Sequence, residues 1–111
     1  MFQRCLFLST MDVRYDDEQA IVMIDNRALR FSPGEYKVMR LLLTQPIATE
    51  AALREALLLQ GEDKATTKLI AKYMYKVRSK VRAADLDISR VHGHGYMLLP
   101  IQSEKQTRIS P

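Results

Sequence analysis

Residues 64 to 99 read KATTKLIAKYMYKVRSKVRAADLDISRVHGHGYMLL and join a long basic segment to a glycine-containing hairpin pattern. In the first half, apolar residues recur at the i, i+4, i+7 and i+11 spacing of one helix face, and they are Ile70, Met74, Val77 and Val81. At about 100° per residue, these side chains lie within about 60° of one another. The spacing predicts an amphipathic helix that starts at Thr66 or Thr67, either of which can cap it, and ends at about Arg82.

The polar side of this predicted helix is strongly basic. Seven Lys and Arg residues and no acid lie between positions 64 and 82, whereas the whole chain carries a formal charge of only +4. Opposite the apolar stripe lie Lys68, Lys72, Tyr75 and Ser79, with Lys76 and Arg82 beside them. A concentrated basic face indicates a polyanionic partner, and the alternative is a solvated helix face that binds nothing.

Residues 87–100 are predicted to form a β-hairpin. Apolar and β-branched residues lie on both sides of Gly93-His94-Gly95, and two glycines suit a tight tip. His92 and His94 are two residues apart, so both side chains can face the same side of the hairpin. A zinc site needs more ligands than these two histidines, and the sequence offers no others in a recognisable spacing, so no metal is expected.

The first third of the chain predicts a small antiparallel sheet. Its apolar or alternating runs are residues 2–8, 13–15, 20–24 and 28–31. Asp25-Asn26 separates the last two runs and suits a hairpin turn.

Two shorter helices are predicted between this sheet and the basic helix. Ser32-Pro33-Gly34-Glu35 has the capping-box pattern with proline at the first helical position, and it predicts a helix over 33–45 before Pro46. Thr49 is a candidate cap for the next helix, which Gly61 is predicted to end. The order of sheet, two helices, basic helix and hairpin predicts an α+β winged helix-turn-helix, whose last helix enters the DNA major groove.

Three motifs between about Val13 and Leu99 resemble the winged-helix DNA-binding effector domain of OmpR/PhoB-type response regulators. Residues 29–36 read LRFSPGEY and are followed by LLL at 41–43, which is similar to the family's strand-to-helix entry. Residues 75–81 read YKVRSKV, similar to the family's basic recognition-helix motif, and residues 90–96 read RVHGHGY, similar to its wing motif. The resemblance implies an N-terminal antiparallel sheet, three helices and a C-terminal hairpin wing, bound to DNA as a homodimer on repeated half-sites.

The resemblance also implies roles for individual residues. Tyr73 and Lys76 would contact bases, with Lys72 as a further candidate, and His92 would replace the arginine that probes the minor groove. The residues implied to face phosphates are Lys68, Arg78 and Lys80. Together with the basic face and the hairpin, the predicted DNA-binding set is Lys68, Lys72, Tyr73, Tyr75, Lys76, Arg78, Ser79, Lys80, Arg90, His92 and His94.

The chain departs from the family pattern in four respects. Thr49-Glu50 replaces a Ser-Arg pair that contacts phosphate, and a carboxylate there would repel the DNA backbone. The family's tryptophan is missing, and the loop over 60–65 is shorter than the one that often contacts RNA polymerase. The 111 residues include no receiver domain, so the chain is either a stand-alone regulator or a fragment. The shortened loop favours repression or an architectural role over direct activation. Glu50 and His92 keep open a protein-interaction module that has lost specific DNA binding.

The composition predicts a single domain over residues 1–100 with a disordered polar tail over 101–111. The single cysteine, Cys5, cannot form an internal disulfide, which favours a reducing cytoplasm. No apolar run approaches the roughly 18 residues of a membrane-spanning helix. No nucleotide loop or nucleophile elbow is present, so neither an enzyme nor a cofactor is expected. The expected partner is double-stranded DNA, with RNA polymerase or another regulator as further candidates.

Overall fold

The computed structural model of the chain describes residues 11–60 and 64–101. In chain order its elements are β1 (Val13–Asp16), β2 (Ile21–Ile24), β3 (Arg27–Arg30), α1 (Pro33–Thr44), β4 (Ala48–Thr49), α2 (Glu50–Ala56), α3 (Lys64–Val81), a 3₁₀ turn (Arg82–Ala84), β5 (Leu86–Val91) and β6 (Gly95–Pro100). Three helices and two antiparallel sheets in these residues confirm the predicted α+β class. The predicted strand over residues 2–8 and the polar tail beyond Ile101 lie outside the described residues.

The N-terminal sheet has the order β1-β2-β3 and is antiparallel, as predicted. Asp25 and Asn26 form the turn between β2 and β3, with φ angles of 49° and 75°. A two-residue hairpin turn of this kind requires positive φ at both positions, which asparagine and aspartate tolerate. Val22, Ile24 and Leu29 are buried and give the sheet its core-facing side.

Helix α1 begins at the predicted capping box. The Ser32 hydroxyl accepts a hydrogen bond from the Glu35 backbone N–H at 3.3 Å, and the Glu35 carboxylate accepts one from the Ser32 backbone N–H at 2.9 Å. The helix ends at Thr44, one residue before the predicted end. Its buried residues are Glu35, Tyr36, Val38, Met39 and Leu42.

Helix α2 is shorter than predicted because it ends at Ala56 and not near Gly61. Leu58 adopts a left-handed conformation with φ of 58°. The N–H groups of Leu58 and Leu59 donate to the carbonyls of Glu55 and Arg54, which closes the helix. Glycine is the usual residue at such a position, so a left-handed leucine leaves no signal in the sequence.

Helix α3 begins at Lys64, so the prediction that Thr66 or Thr67 caps it was wrong. Both threonines lie inside the first turns. Thr66 is buried, and its hydroxyl donates to the carbonyl of Gln60 at 3.4 Å, which links the start of α3 to the segment after α2. At the other end, α3 stops at Val81 and the chain continues into the 3₁₀ turn, close to the predicted end at Arg82.

The second sheet has the order β4-β6-β5 and contains the predicted hairpin, here called the wing. Strand β4 was not predicted; it has two residues, and Ala48 pairs with Tyr96. Gly93, with φ of 78°, lies in the turn at the tip of the wing, whereas Gly95 makes room for strand β4. A Cβ on Gly95 would lie 2.1 Å from the carbonyl oxygen of Ala48, so this glycine lets β4 approach the wing.

Polar contacts join the first sheet to the helices. The Tyr36 hydroxyl donates to Asp17, and Arg40 Nη1 lies 2.9 Å from the same carboxylate. The Tyr36 hydrogen bond is the largest cause of a lowered pKa at Asp17. Arg27 donates to the carbonyl of Ala83 at 2.8 Å, which fixes the sheet to the end of α3. Within the described ranges, none of the helices has the length and hydropathy needed to span a bilayer.

Candidate nucleic-acid interface

Helix α3 packs on the core through the stripe that the sequence predicted. Ile70 and Met74 are 1% and 5% exposed, and Val77 and Val81 are fully buried. This packing fixes the rotation of the helix about its axis, so its opposite side faces solvent. We call that side the recognition face and define it as Lys68, Lys72, Tyr75, Lys76 and Ser79, all of which are exposed.

Tyr75 is the most prominent side chain of the recognition face, at 77% exposure. Its neighbours on the face are lysines, so an aromatic ring and a hydroxyl project from a positively charged surface. Phenol rings pack on sugars and on thymine methyl groups, and lysines attract phosphates and guanine edges. The face therefore combines the groups that DNA-reading helices use.

Tyr73 lies between the recognition face and the buried stripe. It is half-buried and packs against the core. Its ring covers Gly34, where an added Cβ would come within 2.7 Å of the Tyr73 ring and hydroxyl. Tyr73 also lines a cavity of about 200 Å³ with Glu35, Lys72 and Lys76. The predicted base contact of Tyr73 therefore stays a prediction, made from a side chain that is already packed on the start of α1.

Lys80 is anchored to helix α1. Its Nζ lies 2.6 Å from Glu35 Oε1, and the Glu35 residue is only 5% exposed. Burial alone would raise the pKa of Glu35, but hydrogen bonds from Lys80 and Ser32 outweigh it and hold that pKa below the ordinary value. The Lys80 ammonium also lies 5.5 Å from the centre of the Phe31 ring. The lysine thus joins α3 to the capping box of α1.

Arg78 is anchored on the opposite flank of α3. Its Nε lies 2.6 Å from Asp87 Oδ1 on strand β5, and Arg82 lies 3.6 Å from the same carboxylate. Burial acts to raise the pKa of Asp87, but the hydrogen bonds from Arg78 and from the Ile88 N–H lower it overall. Arg78 and Lys80 were predicted to face phosphates, and that role stays a prediction. In the structure both side chains are ion-paired to carboxylates.

The wing presents its two histidines at the surface. His92 and His94 are exposed at the tip, and the His94 N–H donates to the carbonyl of Val91 at 2.9 Å. Arg90, also exposed, lies on strand β5 close to the tip of the wing, where it pairs with Tyr96. In the described parts of the chain, no three His, Cys, Asp or Glu side chains are grouped to hold a metal ion.

Glu50 brings a negative charge close to the tip of the wing. Its carboxylate lies 3.9 Å from Arg90 and 3.9 Å from Arg54, one turn along α2. Glu50 and the wing residues around His92 and His94 line one cavity of about 240 Å³. The sequence identified Glu50 as an unusual residue, but its contact with Arg90, forty positions away, is visible only in the structure.

Comparisons with known proteins agree with this fold. No protein-family model matches the chain, and a search of curated proteins finds no match. Among solved structures, the chain is similar to the DNA-binding domain of the response regulator AdeR in complex with an intercistronic region. The two are 22% identical, with a TM-score of 0.61, and the match covers 78% of this chain and 92% of that one. It is also similar to the DNA-binding domain of Bacillus subtilis CssR, with 13% identity, 79% and 100% covered, and a TM-score of 0.58.

A third similar structure belongs to a streptococcal family of redox sensors that evolved from two-component response regulators. It is 22% identical over 79% of this chain, with a TM-score of 0.60, and the match spans only 39% of that longer protein. These similarities confirm, for the fold, the resemblance to OmpR/PhoB-type effector domains. The chain has the winged-helix fold of response-regulator DNA-binding domains.

Proposed function

We propose that the chain is a sequence-specific, double-stranded DNA-binding transcriptional regulator. Helix α3 enters the major groove, and the wing lies near the adjacent minor groove. The observation that carries this proposal is the recognition face, where Lys68, Lys72 and Lys76 share the exposed side of α3 with Tyr75 while the other side of the helix packs on the core. Neutralising DNA phosphates releases condensed counterions, which gives such a face affinity for any duplex.

The surroundings of α3 support this orientation. The ion pairs Lys80–Glu35 and Arg78–Asp87 hold the helix from both flanks, so the recognition face is presented by a rigid element. The AdeR domain, which shares the fold, was solved on DNA. A rigid helix can place base-contacting groups accurately, which is what sequence-specific reading needs.

The proposed regulator binds repeated half-sites as a homodimer, which is the arrangement that the family resemblance implies. The loop over 60–65 is shorter than the one that often contacts RNA polymerase in the family that the chain resembles. We therefore favour repression or an architectural role over direct activation, with another regulator as a further partner.

The test is selection of bound duplexes from a random pool, with the full chain and with a Lys72→Ala/Lys76→Ala double variant. We expect the wild-type chain to enrich a motif that the double variant loses. A control variant, Arg14→Ala/Lys37→Ala, removes the same charge from exposed positions outside α3 and is expected to retain the motif. If neither the wild type nor the double variant enriched any motif, the proposal would be contradicted.

The second candidate is a protein-interaction module on the same fold. Glu50 at the start of α2 favours it, because a carboxylate there repels a DNA backbone, and His92 at the wing replaces an arginine. The two candidates differ in salt dependence. A DNA-binding protein loses affinity with a log–log slope of about −0.9 per phosphate neutralised, whereas a docking module binds duplexes weakly and without sequence preference.

A further inference from the structure

The recognition face offers hydrogen-bond donors almost exclusively. Between Lys64 and Arg82 the sequence contains no Asp, Glu, Asn or Gln. Each lysine ammonium has three donors and no acceptor. Within the face, acceptor oxygens come only from the hydroxyls of Tyr75 and Ser79, and each hydroxyl is also a donor. The four DNA bases do not suit such a donor-rich surface equally, because they differ in the acceptors that they present in the major groove.

Among the described residues, neither Glu35 nor Glu50 changes this property of the face. Glu35 is 5% exposed, and Ser32 and Lys80 already bind it. Glu50 lies close to the tip of the wing, beside Arg90. The centre of the face, around Lys72, therefore approaches DNA with positive charge and donors.

Base edges in the major groove differ in what they offer to such donors. Guanine presents two acceptors, N7 and O6, and thymine presents the O4 acceptor beside a methyl group. Adenine presents the N7 acceptor beside an amino group, and cytosine presents an amino group alone, and each amino group needs an acceptor from the protein. Lysine donors therefore match the keto bases, and guanine best because both of its groups accept.

Apolar side chains beside the lysines favour thymine as the second base. Leu69 is 38% exposed and lines the same cavity as Lys72 and Lys76. Ala65 and Ala71 are also exposed on α3. Small apolar groups at the helix surface contact the thymine methyl group. Donors and apolar groups on one helix side thus suit guanine and thymine together.

We infer that α3 reads a run of keto bases, guanine first and thymine second, on one strand of each half-site. Lys72 and Lys76 donate to guanine O6 and N7. The two residues are four positions apart, about 6 Å along the helix axis, which is about two base steps along a strand. The inference rests on the proposed function, because it requires α3 in the major groove.

The experiment uses the full chain and a random duplex pool at ~150 mM salt, with three variants selected in parallel. Lys72→Gln replaces donors with an amide, which pairs with adenine N6 and N7. Lys72→Arg retains a donor-only side chain that suits guanine. Lys37→Gln makes the same change on the exposed side of α1 and serves as the control. Unchanged circular dichroism and melting would show that all variants fold.

We expect the wild-type motif to contain guanine at its most selective positions. Lys72→Gln is expected to shift one of these positions toward adenine by about fivefold or more, whereas Lys72→Arg and Lys37→Gln retain guanine there. A motif built from A·T pairs alone would overturn the inference, as would a Lys72→Gln motif identical to that of the wild type. In either case the enriched motif would still support the proposed function. A wild-type pool without any motif would instead contradict the proposed function itself.

Discussion

Lys80 Nζ of helix α3 lies 2.6 Å from Glu35 Oε1 of helix α1, and that same carboxylate oxygen accepts the backbone N–H of Ser32. One buried carboxylate therefore caps α1 and holds helix α3 against it. The pair couples a local sequence signal, the capping box, to the orientation of a helix that begins about thirty residues later. Such a contact is sensitive to mutation because the carboxylate is almost completely removed from water.

Glu35→Gln is expected to destabilise the fold by about 1–2 kcal/mol, because it removes a charge-assisted hydrogen bond while retaining an oxygen for Ser32. Urea unfolding at pH 7 measures this difference as a lower midpoint. Glu55→Gln, at an exposed position of α2, is the matched control and is expected to change stability by less than about 0.5 kcal/mol. Equal midpoints for Glu35→Gln and the wild type would show that the ion pair contributes nothing.

The folded state is expected to lose stability as the pH falls below about 5. Hydrogen bonds from Lys80 and Arg78 hold the pKa values of Glu35 and Asp87 below their ordinary values of 4.5 and 3.8, despite burial. A carboxyl group with a lowered folded pKa contributes stability above its unfolded pKa and loses it as pH falls through the folded pKa.

The urea midpoint should therefore be level above about pH 5 and should decrease below the unfolded values. A Glu35→Gln/Asp87→Asn double variant is expected to start from a lower midpoint and to show a shallower decrease between pH 5 and pH 3, measured in the same buffers. A decrease as steep as that of the wild type would place the acid sensitivity in other carboxylates.

The two wing glycines are expected to respond differently to alanine. Gly95→Ala would bring a Cβ to 2.1 Å from the backbone oxygen of Ala48, at φ of 154°, so strand β4 must move. We expect Gly95→Ala to lower the free energy of unfolding by more than about 2 kcal/mol. Gly93→Ala meets no atom within 4 Å and carries only the strain of φ at 78°, about 1–2 kcal/mol. Thermal unfolding of both variants compares them, and equal losses would contradict the assignment of Gly95 to the contact with β4.

The sequence predicted the features that repeat along the chain. The period of Ile70, Met74, Val77 and Val81 oriented α3 correctly, and the capping box located the start of α1. Features that leave no such local pattern in the sequence were missed. Strand β4 is two residues long, too short for any alternation, and it forms because wing strand β6 offers its edge.

Local sequence patterns also failed to predict where α2 ends and which distant residues are in contact. Leu58, just after α2, has a left-handed conformation that leucine rarely adopts, so the prediction extended the helix to Gly61. The candidate site was predicted as a list of basic, tyrosine, serine and histidine residues, and the structure adds which of its cations form ion pairs. Arg78 and Lys80 are held by Asp87 and Glu35, and tertiary packing alone brings these pairs together.

Glu50 is expected to weaken DNA binding, so Glu50→Gln should strengthen it. The carboxylate lies 3.9 Å from Arg90, close to the tip of the wing, where it would offset one positive charge and repel an approaching phosphate. We expect the variant to bind its selected duplex about two- to fivefold more tightly at low salt, with a difference that shrinks as salt screens exposed charges. Fluorescence anisotropy titrations across a salt series measure both effects.

The matched control for this prediction is Glu55→Gln, which removes the same charge from an exposed position of the same helix. Because charges beyond about 10 Å are largely screened at 0.1 M salt, a change specific to Glu50 reports proximity to the bound DNA. Weaker binding by Glu50→Gln would give the carboxylate the opposite role, that of a positioning residue which holds Arg90 for a phosphate contact. Either result assigns the Glu50–Arg90 contact to the interface, whereas identical affinities for both variants would place that contact outside it.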